Sequence, residues 1–277
     1  MNRIQEAIAR ARDAREALLA GTALAAVEPE PDAAPPHAPV DAWADLPLRP
    51  VDPSVLAERR IVAAGDGPEA APFHVMRTKL VRLAREKGWR RVAVTSPTPG
   101  CGKSTVSANL AYSFSRQPGT RTILCEMDFR RPSLAAMLDL PAGHRVSRVL
   151  RGRAPFADHA VRLAEGLAVA TSSGAVRDPA EMFHAPETAD ALARIEAEHA
   201  PGMMLFDLPP MRVGDDVLAL APRMDAVLLV AASEVTSVAQ IDACERELAE
   251  HCEVAGVILN KCHHQGGAYG YGDDGYY

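Results

Sequence analysis

Six short apolar runs recur along the chain, at residues 91–96, 122–127, 167–171, 203–207, 226–231 and 255–260. Each is nearly continuous in apolar residues rather than alternating, the pattern of a strand covered on both faces. Between these runs the apolar spacing changes to three and four. It predicts helices over 104–116, 186–199, 215–221 and 235–251. Strands and helices taking turns in this way predict an α/β fold, a mostly parallel sheet flanked by helices on both faces. In such a sheet, ligands gather beyond the carboxyl ends of the strands.

The flanks read differently. In residues 1–21, Ile4, Ile8, Ala11 and Leu18 fall near one helical face, and Arg3, Arg10, Arg12 and Arg15 give the segment a basic character. This pattern predicts an amphipathic helix. Residues 22–53 read as a linker, because eight of the chain's 22 prolines fall between positions 28 and 53 among alanines and acids. The folded body is expected over 54–262. Residues 263–277 are rich in Gly and Tyr and read as a disordered tail.

One connection carries chemistry. The run at 91–96 is followed by Pro97, Thr98, Pro99, Gly100, Cys101, Gly102, Lys103, Ser104 and Thr105, and then by a predicted helix. Strand, Gly-rich turn ending in Gly-Lys-Ser, then helix is the layout of a phosphate-binding P-loop. Phosphate oxygens need closely spaced backbone N–H donors, and a helix N-terminus supplies them. Gly100 and Gly102 let the backbone approach. Lys103 contributes a cation, and the Ser104 hydroxyl is a ligand suited to Mg²⁺. Pro97 stands where the full pattern has a further Gly.

Two other runs end in acids. Glu126 and Asp128 lie two apart at the end of 122–127, and Asp207 closes 203–207 before Leu208, Pro209 and Pro210. An acid ending a buried strand beside a P-loop is the form of a Walker B carboxylate, which holds Mg²⁺ directly or through water.

The formal net charge of −6 and pI near 5.9 argue against nucleic acid as a partner. Cys101, Cys125, Cys244, Cys252 and Cys262 form no zinc or redox spacing, which suits a reducing cytoplasm. No apolar run is long enough to span a bilayer, and no signal peptide is visible.

The three motifs together, Pro99 to Ser104, Glu126 to Pro132, and Asp207 to Pro210, resemble those of the bacterial tyrosine kinases (BY-kinases) of capsular and exopolysaccharide biosynthesis. There they are the Walker A, Walker A′ and Walker B motifs. Residues 146–150, 178–183 and 256–260 resemble further segments of that family. Four of the five tyrosines, Tyr269, Tyr271, Tyr276 and Tyr277, fall in the last nine residues, as in the family's C-terminal cluster. The resemblance implies a P-loop NTPase fold, ATP and Mg²⁺ as cofactors, and autophosphorylation of those four tyrosines. It implies that Pro99, Gly100, Cys101, Gly102, Lys103, Ser104 and Thr105 hold phosphate and that Asn260 lies near adenine. It also implies Ser104, Asp207 and Asp128 around Mg²⁺, and Lys103, Asp128, Glu126 and Asp207 as the catalytic set, with Arg130 paired to phosphate or to a carboxylate.

The partner implied is a membrane chain-length regulator of polysaccharide export. It would be met through residues 1–21 or through the basic stretch Arg77, Lys79, Arg82, Arg85, Lys87, Arg90 and Arg91. The place implied is the cytoplasm, at the inner face of the plasma membrane. Self-association is implied as well. However, Ala71, His74 and Arg77 stand where the family has Glu-x-x-Arg-x-x-Arg, so two of the three residues that build its ring are absent. Glu126 replaces an Asp, and Cys101 replaces Glu or Ala. Two other readings remain: a regulatory ATPase without kinase activity, and a positioning ATPase of the partitioning or septum-site type. The second class carries an extra lysine where this chain has Thr98.

Overall fold

The computed structural model describes residues 41–262. The expectations for residues 1–40 and for the tail tyrosines lie outside them. The described chain runs α1 (Pro53–Glu58), α2 (Ala71–Lys87), β1 (Arg91–Thr95), α3 (Lys103–Ser115), β2 (Thr122–Glu126), α4 (Leu134–Met137) and α5 (Val146–Leu150). It continues with β3 (Ala160–Ala164), β4 (Leu167–Ala170), α6 (Pro179–His184), α7 (Pro186–His199) and β5 (Met203–Asp207). It ends with α8 (Asp216–Leu220), β6 (Ala226–Ala232), α9 (Val238–Ala249) and β7 (Glu253–Asn260).

The seven strands form one sheet in the order β3-β4-β2-β5-β1-β6-β7. All neighbours are parallel except β3, which pairs antiparallel with β4. The sheet therefore has the expected class, with one strand more than the apolar runs predict. Its central strands are buried on both faces, as continuous apolar runs require. One core, with Phe129, Phe183, Ile195 and Leu220, lies under α5 to α9. The other, with Leu80, Trp89, Leu110 and Phe114, lies under α2 and α3. α3 is buried from Val106 to Phe114, since sheet and α2 sandwich it, and it is accordingly apolar or small-polar all round.

Two expectations are corrected. The linker does not extend to residue 53. Trp43 and Leu46 are buried in the first core, and Trp43 Nε1 donates to the Glu165 carbonyl at 2.9 Å. Arg49 N donates to the Arg162 carbonyl and Arg162 N to the Pro47 carbonyl, so this segment lies along the β3 edge. Two large apolar side chains outweigh the polar, proline-rich setting. Likewise, β7 is not covered on both faces. It is the edge strand opposite β3, and Val257 and Leu259 are exposed.

Three cations of the basic stretch have carboxylate partners within the fold. Arg91 makes a bidentate pair with Glu196 (2.7 and 2.8 Å), Lys87 pairs with Glu253 (3.0 Å), and Arg82 lies 3.7 Å from Glu86. His74 Nδ1 meets Ser113 Oγ at 2.8 Å, and Arg77 donates to the Ser113 carbonyl at 3.1 Å. The surviving Arg77 and the substituted His74 thus both bind α3 of their own chain. No helix among the described residues is long and apolar enough to cross a membrane.

Candidate functional site

The P-loop leaves the end of β1 at the middle of the sheet. Gly100 and Gly102 both have left-handed backbones (φ 83° and 89°), which a Cβ would strain. Gly102 has a second reason to be Gly, since a Cβ there would collide with the Asn260 side chain. Asn260 comes from the end of β7 and donates its amide to the Cys101 carbonyl at 2.9 Å. Here it clamps the loop, the role its amide has in this structure, rather than lining the cavity. Lys103 to Thr105 form the first turn of α3, N-capped by Gly102, so free N–H groups face the site.

The loop is tied to the segment after β5. Thr95 Oγ1 donates to the Pro209 carbonyl (2.6 Å), Met211 N to the Ser96 carbonyl (2.9 Å) and Arg212 N to the Pro97 carbonyl (3.2 Å). The Pro-Pro step at 209–210 keeps that segment extended. Cys101 is buried, with its thiol donating to the Thr98 carbonyl at 3.2 Å. Its pKa lies below the usual thiol value: burial pushes it up, and the Thr236 and Thr98 contacts outweigh that.

A cavity of about 430 Å³ opens over this loop, lined among others by Gly100, Lys103, Ser104, Asp128, Arg131 and Lys261. That is the size of a small-molecule site. Lys103 Nζ contacts Asp128 Oδ2 at 2.9 Å. Burial alone would lower the Lys103 pKa, but the charges of Asp207 and Asp128 outweigh it and hold the ammonium above its ordinary value. Arg130 makes a bidentate pair with Asp216 (2.6 and 3.0 Å), an almost fully buried acid at the start of α8. This pair joins the loop after β2 to the helix after β5.

The three acids differ. Asp128 faces the cavity and also accepts from Arg131 N at 2.9 Å. Asp207 is fully buried; Ser107 donates to its Oδ1 at 3.1 Å, while Oδ2 has no hydrogen-bond partner. Burial pushes its pKa up, opposed by Lys103, Ser104 and Ser107. Glu126 is also fully buried, but its oxygens are spent. Oε1 accepts from Ser133 N and from Leu134 N (2.7 Å), and Oε2 from Ser172 N (2.8 Å). With both oxygens held by backbone N–H groups it has none left for a substrate or a metal, and its expected catalytic role is corrected on that ground. The longer Glu arm reaches backbone at the start of α4 and after β4, and its work is to fasten those two segments to β2. Burial pushes its pKa up to about 7 against those three donors.

Of the expected Mg²⁺ set, Ser104 and Asp207 have donors to spare, whereas Asp128 is engaged by Lys103 at Oδ2 and by Arg131 N at Oδ1. The orphan oxygen of Asp207 beside Ser104 is what a hydrated Mg²⁺ requires, since this ion keeps much of its own water. Among the described residues no group of three His, Cys, Asp or Glu could hold a metal ion.

A family model described as ParA, NUBPL iron-transfer P-loop NTPase, matches residues 89–269. The chain belongs to this family. Among P-loop NTPases, its relatives bear out the resemblance seen in the motifs. The tyrosine-kinase-like EpsB of Ralstonia nicotianae is 27% identical over 262 residues, covering 88% of this chain and 33% of its own length. The tyrosine-protein kinase YwqD of Bacillus subtilis is 29% identical over 209 residues, 73% of this chain and 86% of YwqD. The chain thus spans about a third of the Ralstonia protein and most of the Bacillus one. The kinase domain of Escherichia coli Etk shares the fold, with a TM-score of 0.65 at 22% identity, over 73% of this chain and 80% of that one.

Proposed function

We propose that the chain is an ATP-dependent protein-tyrosine autokinase that regulates polysaccharide polymerisation and export, with Tyr269, Tyr271, Tyr276 and Tyr277 as acceptors reached in trans. The observation that carries this reading is the Lys103–Asp128 contact at the cavity wall. A carboxylate beside the phosphate-loop lysine is poised to take a proton from an incoming hydroxyl. A tyrosine hydroxyl, with a pKa near ~10, needs that help at neutral pH. Tyr112, the one tyrosine among the described residues, is buried in α3 and is no candidate acceptor.

In this reading the P-loop amides and Lys103 bind the triphosphate of ATP. Drawing Lys103 to phosphate frees Asp128. The tyrosine oxygen bonds to the γ-phosphorus as the bond from that phosphorus to the β,γ-bridging oxygen breaks. ADP leaves with the bonding electrons, and the phenolic proton passes to Asp128. Ser104 and Asp207 would hold Mg²⁺, which supplies charge neutralisation when bound. Arg130, fixed by Asp216, holds the Asp128 loop in place. The partner proposed is a membrane chain-length regulator at the inner face of the plasma membrane. Residues 1–21 are the element proposed to meet it, since Arg82 and Lys87 of α2 and the neighbouring Arg91 already have carboxylate partners within the fold.

The test mixes two full-length chains with ATP and Mg²⁺, one with all four tail tyrosines replaced by Phe, the other Lys103→Met with an intact tail. Phosphotyrosine on the Lys103→Met chain is the expected result. Its absence, with ATP still hydrolysed by the Phe-tailed chain, would leave a nucleotide-gated regulatory ATPase instead.

A further inference from the structure

Four cations line the cavity, and they divide into two pairs. Lys103 and Arg130 each have a carboxylate partner, Asp128 and Asp216. Arg131 and Lys261 are exposed and have no carboxylate partner among the described residues. The two unpaired cations stand apart. Lys261 follows Asn260 on the side of the P-loop clamp, with a left-handed backbone (φ 60°). Arg131 stands on the loop after β2, and its own N–H binds the Asp128 carboxylate at 2.9 Å. Arg131 is therefore fixed relative to the carboxylate that faces the reacting hydroxyl, while its guanidinium is free.

From this placement we infer that Arg131 selects the acceptor: it binds a carboxylate two or three residues before the tyrosine, so that the site takes acidic tyrosine peptides, foremost the tail of a second copy of this chain. The inference rests on the kinase reading above. The tail supplies the match. Asp273 and Asp274 stand three and two residues before Tyr276. In an extended peptide two or three residues span about 7–10 Å. An arginine side chain three positions along the loop from Asp128 covers a distance of that order. A guanidinium engages a carboxylate in two parallel hydrogen bonds, so it fixes orientation as well as charge. Arg130 cannot serve, because its fork is already filled by Asp216, and its guanidinium packs where a Cβ on Gly214 would stand.

The test uses the full-length protein with Mg·ATP and peptides of the sequence of residues 268–277, either unchanged or with lysine at both 273 and 274. The wild type is expected to phosphorylate the acidic peptide with a kcat/KM roughly tenfold above that of the lysine peptide. Arg131→Glu is expected to reverse the preference. Arg131→Lys is expected to keep its direction and lose part of its size, since a point charge lacks the fork. Binding of the same peptides in Mg·ADP, read by fluorescence anisotropy, separates the failures. Phosphorylation of both peptides equally, or a preference unmoved by Arg131→Glu, would overturn the inference and leave the kinase reading standing. Charge-selective binding that reverses in Arg131→Glu without any phosphorylation would support Arg131 as the reader of acidic peptides and overturn the kinase reading. Neither binding nor phosphorylation of the peptides would overturn the inference outright.

Discussion

Glu126 and Asp207 are direct neighbours in the sheet, register partners at the carboxyl ends of β2 and β5. Both are fully buried, and burial pushes both pKa values up. Yet Glu126 has three backbone N–H donors on its two oxygens, while Asp207 keeps one oxygen without any partner. Buried polar atoms are almost always satisfied, and the unpartnered Oδ2 lies beside Ser104, a residue of the cavity lining, so it is left available to a ligand there. The lesson is that sequence position and burial do not separate a structural acid from a functional one. The hydrogen-bond account of each oxygen does.

Asp207→Asn breaks the comparison on the functional side, with the largest effect. Oδ1 and its bond from Ser107 are kept, so the thermal midpoint should hold or rise. Mg²⁺-dependent ATP hydrolysis should fall by roughly a hundredfold or more, on the scale of losing one charge-stabilising group. Activity within threefold of wild type would remove Asp207 from the metal site. Glu126→Ala breaks it on the structural side. It leaves two buried N–H groups and one part-buried one without acceptors, so stability should fall by about 3 kcal/mol, read as a lower denaturant midpoint at unchanged slope. A variant as stable as wild type would refute the fastening role.

The smallest effect sharpens the comparison through pH. The Glu126 pKa rises from its ordinary 4.5 to about 7 on folding. The folded state therefore holds the proton more tightly than the unfolded one. Stability from this group is fully present below about 4.5 and is lost as pH rises through about 7. Glu126→Gln removes the titration. The stability of wild type relative to that variant should fall across this window and be level on either side of it, which denaturation at a series of pH values would read. A level difference throughout would mean that Glu126 is ionised in the fold at all these pH values.

Much of this was legible in the sequence. The bounds 203–207 and 186–199 match β5 and α7 as observed, because a buried run between turn signals, and an amphipathic run after Ala-Pro, leave little alternative. The P-loop and the Asp128 and Asp207 positions follow from motif chemistry. β3 was not legible. Ala160–Ala164 is five residues with Arg162 in the middle, and it is a strand because the turn at Glu165 and Gly166 folds it back on β4. The linker misreading has a similar cause: composition averaged over 22–53 hid Trp43 and Leu46, the two residues that decide where the fold begins. Glu126 shows a third limit. Its substitution for Asp reads as a displaced base, while the backbone groups that explain the extra methylene come from residues seven, eight and 46 positions away.

Asn260 ties the P-loop to the last strand of the described fold, and three bonds on, at Lys261 and Cys262, the chain passes toward the tyrosine segment. The route from that segment to the phosphate site is therefore covalent up to Asn260 and one hydrogen bond thereafter. β7 has a neighbour on one side alone, β6, and is paired with it through Asn260. A load at the end of β7 is shared by two bonds of Asn260, one from Ser233 N to its backbone carbonyl (2.8 Å) and one from its side-chain amide to the Cys101 carbonyl (2.9 Å). In mechanical terms Asn260 is a rivet through two plates, joining the P-loop and the end of β6 at the point where the chain leaves the described fold.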